Sequence, residues 1–241
     1  MSQSPLKTCE GILPINKPVG KMSFSLISRL RRILNIQKIG HAGTLDPFAS
    51  GVMILLIGRN YTRLSDRFLE ADKQYRATLK FGVTTDSFDC DGQIIKESDF
   101  IPSLSDLEVA ITHFQGEVEQ IPPMFSAKKV NGKKLYELAR QGKTVERAPA
   151  KVRMETTLLH YEYPYATLSV TCSKGTYIRS IAHDIGERLG CGAHLIQLER
   201  TRSGTFLLDD CLDGSILYEP TTDLELVRSK ILTNLPYENC A

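Results

Sequence analysis

Residues 40–58, GHAGTLDPFASGVMILLIG, set one carboxylate, Asp46, among glycines, small residues and a proline, directly before a continuous apolar run. The run VMILLIG is short and ends at Gly58, which reads as a strand buried on both faces. An Asp-Pro pair ahead of such a strand either shapes a turn or presents a carboxylate at the mouth of a sheet. Taken alone, the turn is the stronger explanation. The rest of the chain has to decide.

Outward from that stretch, helical and strand periods alternate. SFSLISRLRRILN (23–35) predicts a helix with Ser23 as its N-cap, Leu26, Ile27, Leu30, Ile33 and Leu34 on one face and arginines on the other. QYRATLKFG (74–82) alternates as a strand, with Tyr75, Ala77, Leu79 and Phe81 facing one way. SLSDLEVAITHFQG (103–116) predicts a helix capped by Ser103 or Ser105 and stopped by Gly116. KVRMETTLLHYEY and ATLSVTC read as further strands, the second pointing Leu168, Val170 and Cys172 inward. TYIRSIAHDIGERLG (176–190) is a helix with an Ile178, Ile181, Ile185, Leu189 stripe, ended by Gly190. The fold class is therefore α+β. Residues 122–150 break the rhythm: bracketed by prolines, basic and weakly hydrophobic, they predict a mobile arm inserted between strands.

At 241 residues the chain is long enough for one large domain, or one with an appendage. It lacks the ~18–20-residue apolar run of a membrane span, and its start lacks the basic-then-apolar layout of a signal peptide. Cys9, Cys90, Cys172, Cys191, Cys211 and Cys240 are scattered without a CxxC pair, which predicts reduced thiols and a cytoplasmic protein. The net charge of +2 conceals an asymmetry, because residues 209–241 sum to −5 and the preceding 208 to +7. Basic residues cluster at Arg29, Arg31, Arg32 and Lys38, at Lys128, Lys129, Lys133 and Lys134, and at Arg140, Lys143, Arg147, Lys151 and Arg153. One such cluster is a solvated helix face; three together favour a nucleic-acid partner.

Several other chemistries fail on spacing. DSFDCDGQIIKES places Asp89, Asp91 and Gly92 like a calcium loop, but its ends are Ser87 and Ser98, so a turn stabilised by Asp side chains is the better reading. His113, His160, His183 and His194 have no paired metal-ligand spacing, and GHAG lacks the Gly spacing and Lys-Ser/Thr pair of a phosphate loop. No metal site is expected. Asp46 keeps its interest because of two further stretches. ADKQYRA puts Tyr75 at a strand start, and SKGTYIRS puts Tyr177 and Arg179 where a turn enters a helix. An arginine fork holds a carboxylate ionised and oriented, and tyrosines stack on bases.

The ordered stretches GILPINKPVGKMS, KIGHAGTLDPFASGVMILLIG, DKQYRATLKFGVTTDSFDCDGQII, IPPMFSAKKVNGKKLYELAR and CSKGTYIRSIAHDIGERLGCGAHLIQLERTRSG resemble the motifs of the TruB family of tRNA pseudouridine synthases, from about Gly11 to Gly204. The resemblance implies a pseudouridine synthase fold, a curved, mixed, mainly antiparallel sheet flanked by helices with an RNA-gripping insertion. Residues 122–150 fit that insertion. It implies that Asp46 is the catalytic aspartate, Tyr75 the tyrosine stacked on the target base and Arg179 the arginine paired with the aspartate. Tyr177 and Leu198 match residues lining the uracil pocket, and His41 a histidine that helps hold the flipped nucleotide. Lys17 in NKP falls in a motif assigned to local structure. Arg63 stands where many members have lysine, one residue further along, and Lys128 and Lys129 fall among the RNA-gripping cations.

The implied reaction isomerises uridine 55 in the T loop of tRNA, through attack by Asp46 at C1′ or C6 or removal of a sugar proton, with no cofactor. The implied partner is the T arm of tRNA, with no membrane, no obligatory protein partner and a monomeric state. Residues 1–211 would form the catalytic domain and 212–241 a short acidic appendage in place of the RNA-binding PUA domain of many bacterial members. Two alternatives stay open: an RNA-binding or tRNA-folding protein, which would not need Asp46, and a synthase acting on another RNA, as the guide-dependent members of the family do.

Overall fold

The computed structural model describes residues 9–130 and 132–234; residues 1–8, Asn131 and 235–241, among them Glu238 and Cys240, lie outside the described residues. The described residues pack as two compact units, one from residues 9–71 and 199–234 and one from within 72–198.

The first unit is built around the apolar run. Strand β1 (Gly11–Lys17) is followed by helix α1 (Ser23–Leu34), strands β2 (Ile39–Ala42) and β3 (Ser50–Ile57), and short helices α2 (Arg59–Thr62) and α3 (Ser65–Glu70). β3 pairs antiparallel with β1 from Gly11↔Ile57 to Lys17↔Gly51, and with β2 from Ile39↔Ile57 to Ala42↔Ile54. One face of this sheet, with Leu13, Ile15, Met53, Leu55 and Ile57, packs on Leu26, Ile27 and Leu30 of α1. The other, with Ile12, Val52, Ile54 and Leu56, packs on Phe68 and Phe206. Burial on both faces explains why VMILLIG does not alternate.

Helix α1 departs from expectation at its start. Its N-cap is Met22, which offers no side-chain cap. Ser23 is the first helical residue and spends its hydroxyl on Leu45, donating to the carbonyl at 2.9 Å and accepting from the N–H at 3.0 Å. A tertiary hydrogen bond has displaced the local one.

The second unit runs β4 (Lys73–Phe81), β5 (Val83–Thr85), β6 (Ile94–Glu97), α4 (Leu104–Ile111), β7 (Gly116–Gln120), β8 (Lys129–Val130), β9 (Lys133–Lys134), α5 (Leu135–Ala139), β10 (Ala150–Glu162), β11 (Tyr165–Cys172), α6 (Ile178–Leu189) and the start of β12 (Ala193–Ser203). Antiparallel pairing links β4 to β11, β11 to β10 and β10 to β7. Ala77, Leu79, Phe81, Leu168, Val170 and Cys172 are buried as their alternation predicts. Ser103 caps α4 in a reciprocal box with Asp106. That helix ends at Ile111, and Gly116 opens β7 instead of closing α4. Gly190 ends α6 in the left-handed region, φ 77°.

The insertion between β7 and β10 is better anchored than its composition predicts. β8 and β9 form a hairpin, and α5 sinks Leu135 and Leu138 into the interior. Arg147 donates to the Pro122 carbonyl at 3.2 Å, which ties the two ends of the insertion together.

Residues 199–234 return to the first unit. The end of β12 pairs parallel with β3 (Glu199↔Ser50, Arg200↔Gly51), β13 (Phe206–Leu207) folds back on β12, and β14 (Leu212–Asp213) pairs parallel with β1. With α7 (Leu224–Ser229), the segment read as an acidic appendage contributes Leu212, Leu217 and Val227 to the core under α1. Asp213, Glu219, Asp223 and Glu225 are exposed while Leu212, Leu217 and Val227 complete the hydrophobic cluster. Charge alone concealed that role. Mainly antiparallel strands with helices laid against them make up the α+β architecture.

Candidate active site

The first unit holds Asp46 on a loop whose backbone is gripped from several directions. Ser23 fixes Leu45 on one side of it. On the other, the Pro47 carbonyl accepts from the Gly20 N–H at 2.8 Å and from the Lys17 ammonium at 3.3 Å. The same ammonium donates to the carbonyls of Lys21 (2.6 Å) and Pro18 (3.0 Å). The Asp46 carbonyl accepts from the Ala49 N–H, closing a turn. Asp46 therefore shapes a turn with its backbone, and its residue is half-buried.

Lys17 is fully buried, and that burial pulls its ammonium down to about 8, with the Asp46 charge resisting and the Arg200 charge adding to the fall. Arg200, also buried, reaches from β12 to the Val52 carbonyl at 2.5 Å and the Gly43 carbonyl at 3.2 Å. Gly51 makes that approach possible: its φ is +109°, and a Cβ there would lie 2.3 Å from the Arg200 carbonyl oxygen. His41 on β2 is half-buried and held below the ordinary imidazole range, first by burial and then by Arg200. It is a neutral imidazole at physiological pH. Arg63 stands exposed at the end of α2.

In the second unit α6 organises the predicted residues. Tyr177 is its N-cap, and Gln120 brackets that residue, accepting from the Tyr177 N–H at 2.8 Å and donating to its carbonyl at 3.0 Å. Arg179, two residues on, is only 5% exposed. Its guanidinium donates to the Ser87 carbonyl at 3.0 Å and the Phe125 carbonyl at 2.8 Å, and lies 3.4 Å from the Asp89 carboxylate. Through Phe125, the base of the insertion is tied to this arginine. Tyr75 is half-buried on β4 opposite Val170, and Leu198 is buried on β12. Lys128 and Lys129 are exposed on the hairpin.

The DSFDCDG loop is a turn held by its own acids, as its spacing predicts. The Asp86 carboxylate accepts from the Gln93 N–H, and Asp89 accepts from the Ser87 hydroxyl and the Asp91 N–H. Among the described residues no group of three His, Cys, Asp or Glu side chains is placed to hold a metal ion.

Comparison with known proteins settles the family. Residues 31–178 match the model of the TruB family pseudouridylate synthase N-terminal domain, and residues 179–219 the tRNA pseudouridylate synthase B C-terminal domain. A protein of Protochlamydia amoebophila named tRNA pseudouridine synthase B is 59% identical over 94% of this chain and 87% of its own length. The chain belongs to the TruB family of pseudouridylate synthases. Relatives of that name are 56% identical in Chlamydia felis, covering 89% of this chain and 92% of theirs, and 44% identical in Clostridium novyi, covering 88% and 73%. Among solved structures, a Cbf5-Nop10-Gar1 complex contains a chain with TM-score 0.70 and 27% identity. The match covers 93% of this chain and 60% of that one, so this chain spans less than two thirds of its length.

Family motifs found Asp46 but not the groups that hold it. Ser23 reads as a helix cap, Arg200 carries no separate reading, and Asp89 reads as a loop-former. Only the fold reveals that the first two clamp the Asp46 strand-loop and that the third faces Arg179. Ser23 and Arg200 fall inside the family-like stretches, but nothing in those stretches says which segment they reach; Asp89 left a signal in the density of acids around Gly92.

Proposed function

We propose that this protein converts uridine to pseudouridine in the T loop of tRNA, at position 55, with Asp46 as the catalytic carboxylate. The observation that carries the reading is the Asp46 loop itself: buried Ser23, Lys17 and Arg200 fix the backbone on both sides of one half-buried carboxylate inside a TruB motif. Such investment in positioning suits a group that acts on a substrate.

The chemistry is a rearrangement. The N1–C1′ bond breaks, the uracil turns within the site, a C5–C1′ bond forms, N1 gains a proton and C5 loses one. Atoms and electrons balance without a redox partner. Asp46 supplies the nucleophile or base. Tyr75 stacks on the uracil, Arg179 works with the carboxylate, Tyr177 and Leu198 line the pocket, and neutral His41 helps keep the target nucleotide out of its stack. Arg63, Lys128 and Lys129 contact phosphates. We place the enzyme in the cytoplasm, acting as a monomer without an obligatory protein partner. Relatives at 56–59% identity carry the name tRNA pseudouridine synthase B, which supports tRNA as substrate. No helix among the described residues is long and apolar enough to cross a membrane.

The experiment is to incubate the purified chain with an unmodified tRNA transcript and map pseudouridine at nucleotide resolution. A single new pseudouridine at position 55 is the expected result. Binding without any pseudouridine would leave an RNA-folding protein, and modification only of other RNAs would move the substrate.

A further inference from the structure

We infer that the outer face of α1 is a second RNA-docking surface, which takes an unpaired base and its flanking phosphates. The inference rests on the tRNA reading above and concerns residues that reading leaves unused. α1 buries Leu26, Ile27 and Leu30 and turns the opposite face to solvent. There a shallow groove of about 270 Å³ is lined by Met22, Phe24, Ser25, Ser28, Arg29 and Arg32. Met22 and Phe24 are 65% and 59% exposed.

The stretch of chain that forms the groove carries charge of one sign. Between Glu10 and Asp46 the chain carries Lys17, Lys21, Arg29, Arg31, Arg32 and Lys38 and no acid. A face that only needed solvation would mix signs and omit the large apolar side chains. The cations are also partly ordered. Lys21 and Arg29 lie over the Tyr218 ring at 4.7 and 4.9 Å, and the Tyr218 hydroxyl is hydrogen-bonded to Ser25 at 2.5 Å. Arg31 lies over the Phe24 ring at 5.7 Å and donates to the Ile39 carbonyl. Cations spread on aromatic supports lose less freedom when a phosphate arrives.

A ligand matching this surface is polyanionic and presents a flat apolar face. RNA with one unstacked base has both properties: the base stacks on Phe24 against Met22, and phosphates meet Arg29 and Arg32. An anionic bilayer shares the charge but fits the shape poorly. Interfacial helices immerse a continuous apolar face, whereas the apolar face of α1 is consumed by the core and only its first turn offers Met22 and Phe24 outward.

The test compares Phe24→Ala and Arg32→Glu, both at exposed positions, with the wild-type chain. Affinity for unmodified tRNA is measured across a salt series, together with melting temperature and single-turnover pseudouridine formation at saturating enzyme. Phe24→Ala should weaken binding at least about fivefold with an unchanged salt slope, since stacking carries no counterion release. Arg32→Glu should weaken binding and lower the slope of log affinity against log salt by roughly 0.7–0.9. Neither should change the single-turnover rate. Folded variants that bind tRNA like the wild type would overturn the inference. Loss of binding to phosphatidylserine vesicles with tRNA binding intact would overturn it too, and would assign the face to a bilayer. If the wild-type chain makes no pseudouridine yet the two variants lose RNA affinity in this pattern, the function above fails and the docking surface stands.

Discussion

Asp89 and Arg179 face each other in the interior, at 7% and 6% side-chain exposure. Removing the Asp89 charge weakens the ion pairing of a buried arginine, a cost of at most about 3–5 kcal/mol. Asp89→Asn should therefore lower the melting temperature and cut the isomerisation rate together, because Arg179 is no longer held where it is. A melting curve and a single-turnover assay check this. Ser23→Ala separates the two effects differently. It leaves the Leu45 N–H and carbonyl without their partner, a cost of about 1–3 kcal/mol, and frees the residue preceding Asp46, so the rate should fall more than tRNA affinity. Asp184 provides a pH signature. Burial lifts its carboxyl to about 6, with Glu187 adding and Arg188 opposing. Between the ordinary value of 3.8 and about 6 the folded state holds more protons than the unfolded one, so raising the pH through that window costs stability. Asp184→Asn should raise stability by about 1 kcal/mol above pH 6, the side chain being partly exposed, or about 2–4 °C in Tm, and by nothing below pH 4. Thermal melts at pH 4 and 7.5 decide it.

At the scale of elements, periodicity was legible wherever local packing dominates. β3, β4, β11 and α6 stand where their patterns place them, because each buries the face its period defines. Two features were illegible for physical reasons. The hydroxyl of Ser23 could cap a helix or reach another segment, and only tertiary structure chooses. α5 hides its anchoring in two leucines among lysines and arginines, so composition suggested a loose arm. Changing exposed Lys128, Lys129 and Lys133 to alanine should weaken tRNA binding and lower the salt slope by roughly 0.7–0.9 for each phosphate that loses its cation. The rate at saturating enzyme should hold, since these ammonium groups lie on a hairpin carrying none of Asp46, Tyr75 or Arg179. A salt titration by fluorescence anisotropy provides the number.

For the molecule as a whole, the C-terminal segment most changes the reading of the sequence. Its net charge suggested a short acidic appendage, yet Leu212, Leu217 and Val227 lie in the core, and Leu232 bridges to Ile12. Burying each such side chain contributes about 1.5–3 kcal/mol, so losing three removes about 5–9 kcal/mol from a total stability of typically about 5–15. Deleting residues 212–241 should abolish cooperative folding of the first unit, and with it activity, rather than trim an acidic extension. The turn at Asp46 was legible because it is local in sequence; its supports were not, because Lys17, Ser23 and Arg200 stand 30, 22 and 157 residues from the loop atoms they bond. The proposed mechanism assigns the isomerisation to this one carboxylate. Forming pseudouridine strips the hydrogen from C5 of the target uridine, so tRNA labelled with tritium at C5 reports each turnover by release to water. The wild-type chain should release one equivalent per tRNA, and Asp46→Asn should release none while binding the same tRNA within a few-fold. Stoichiometric release by a folded Asp46→Asn protein would contradict the account.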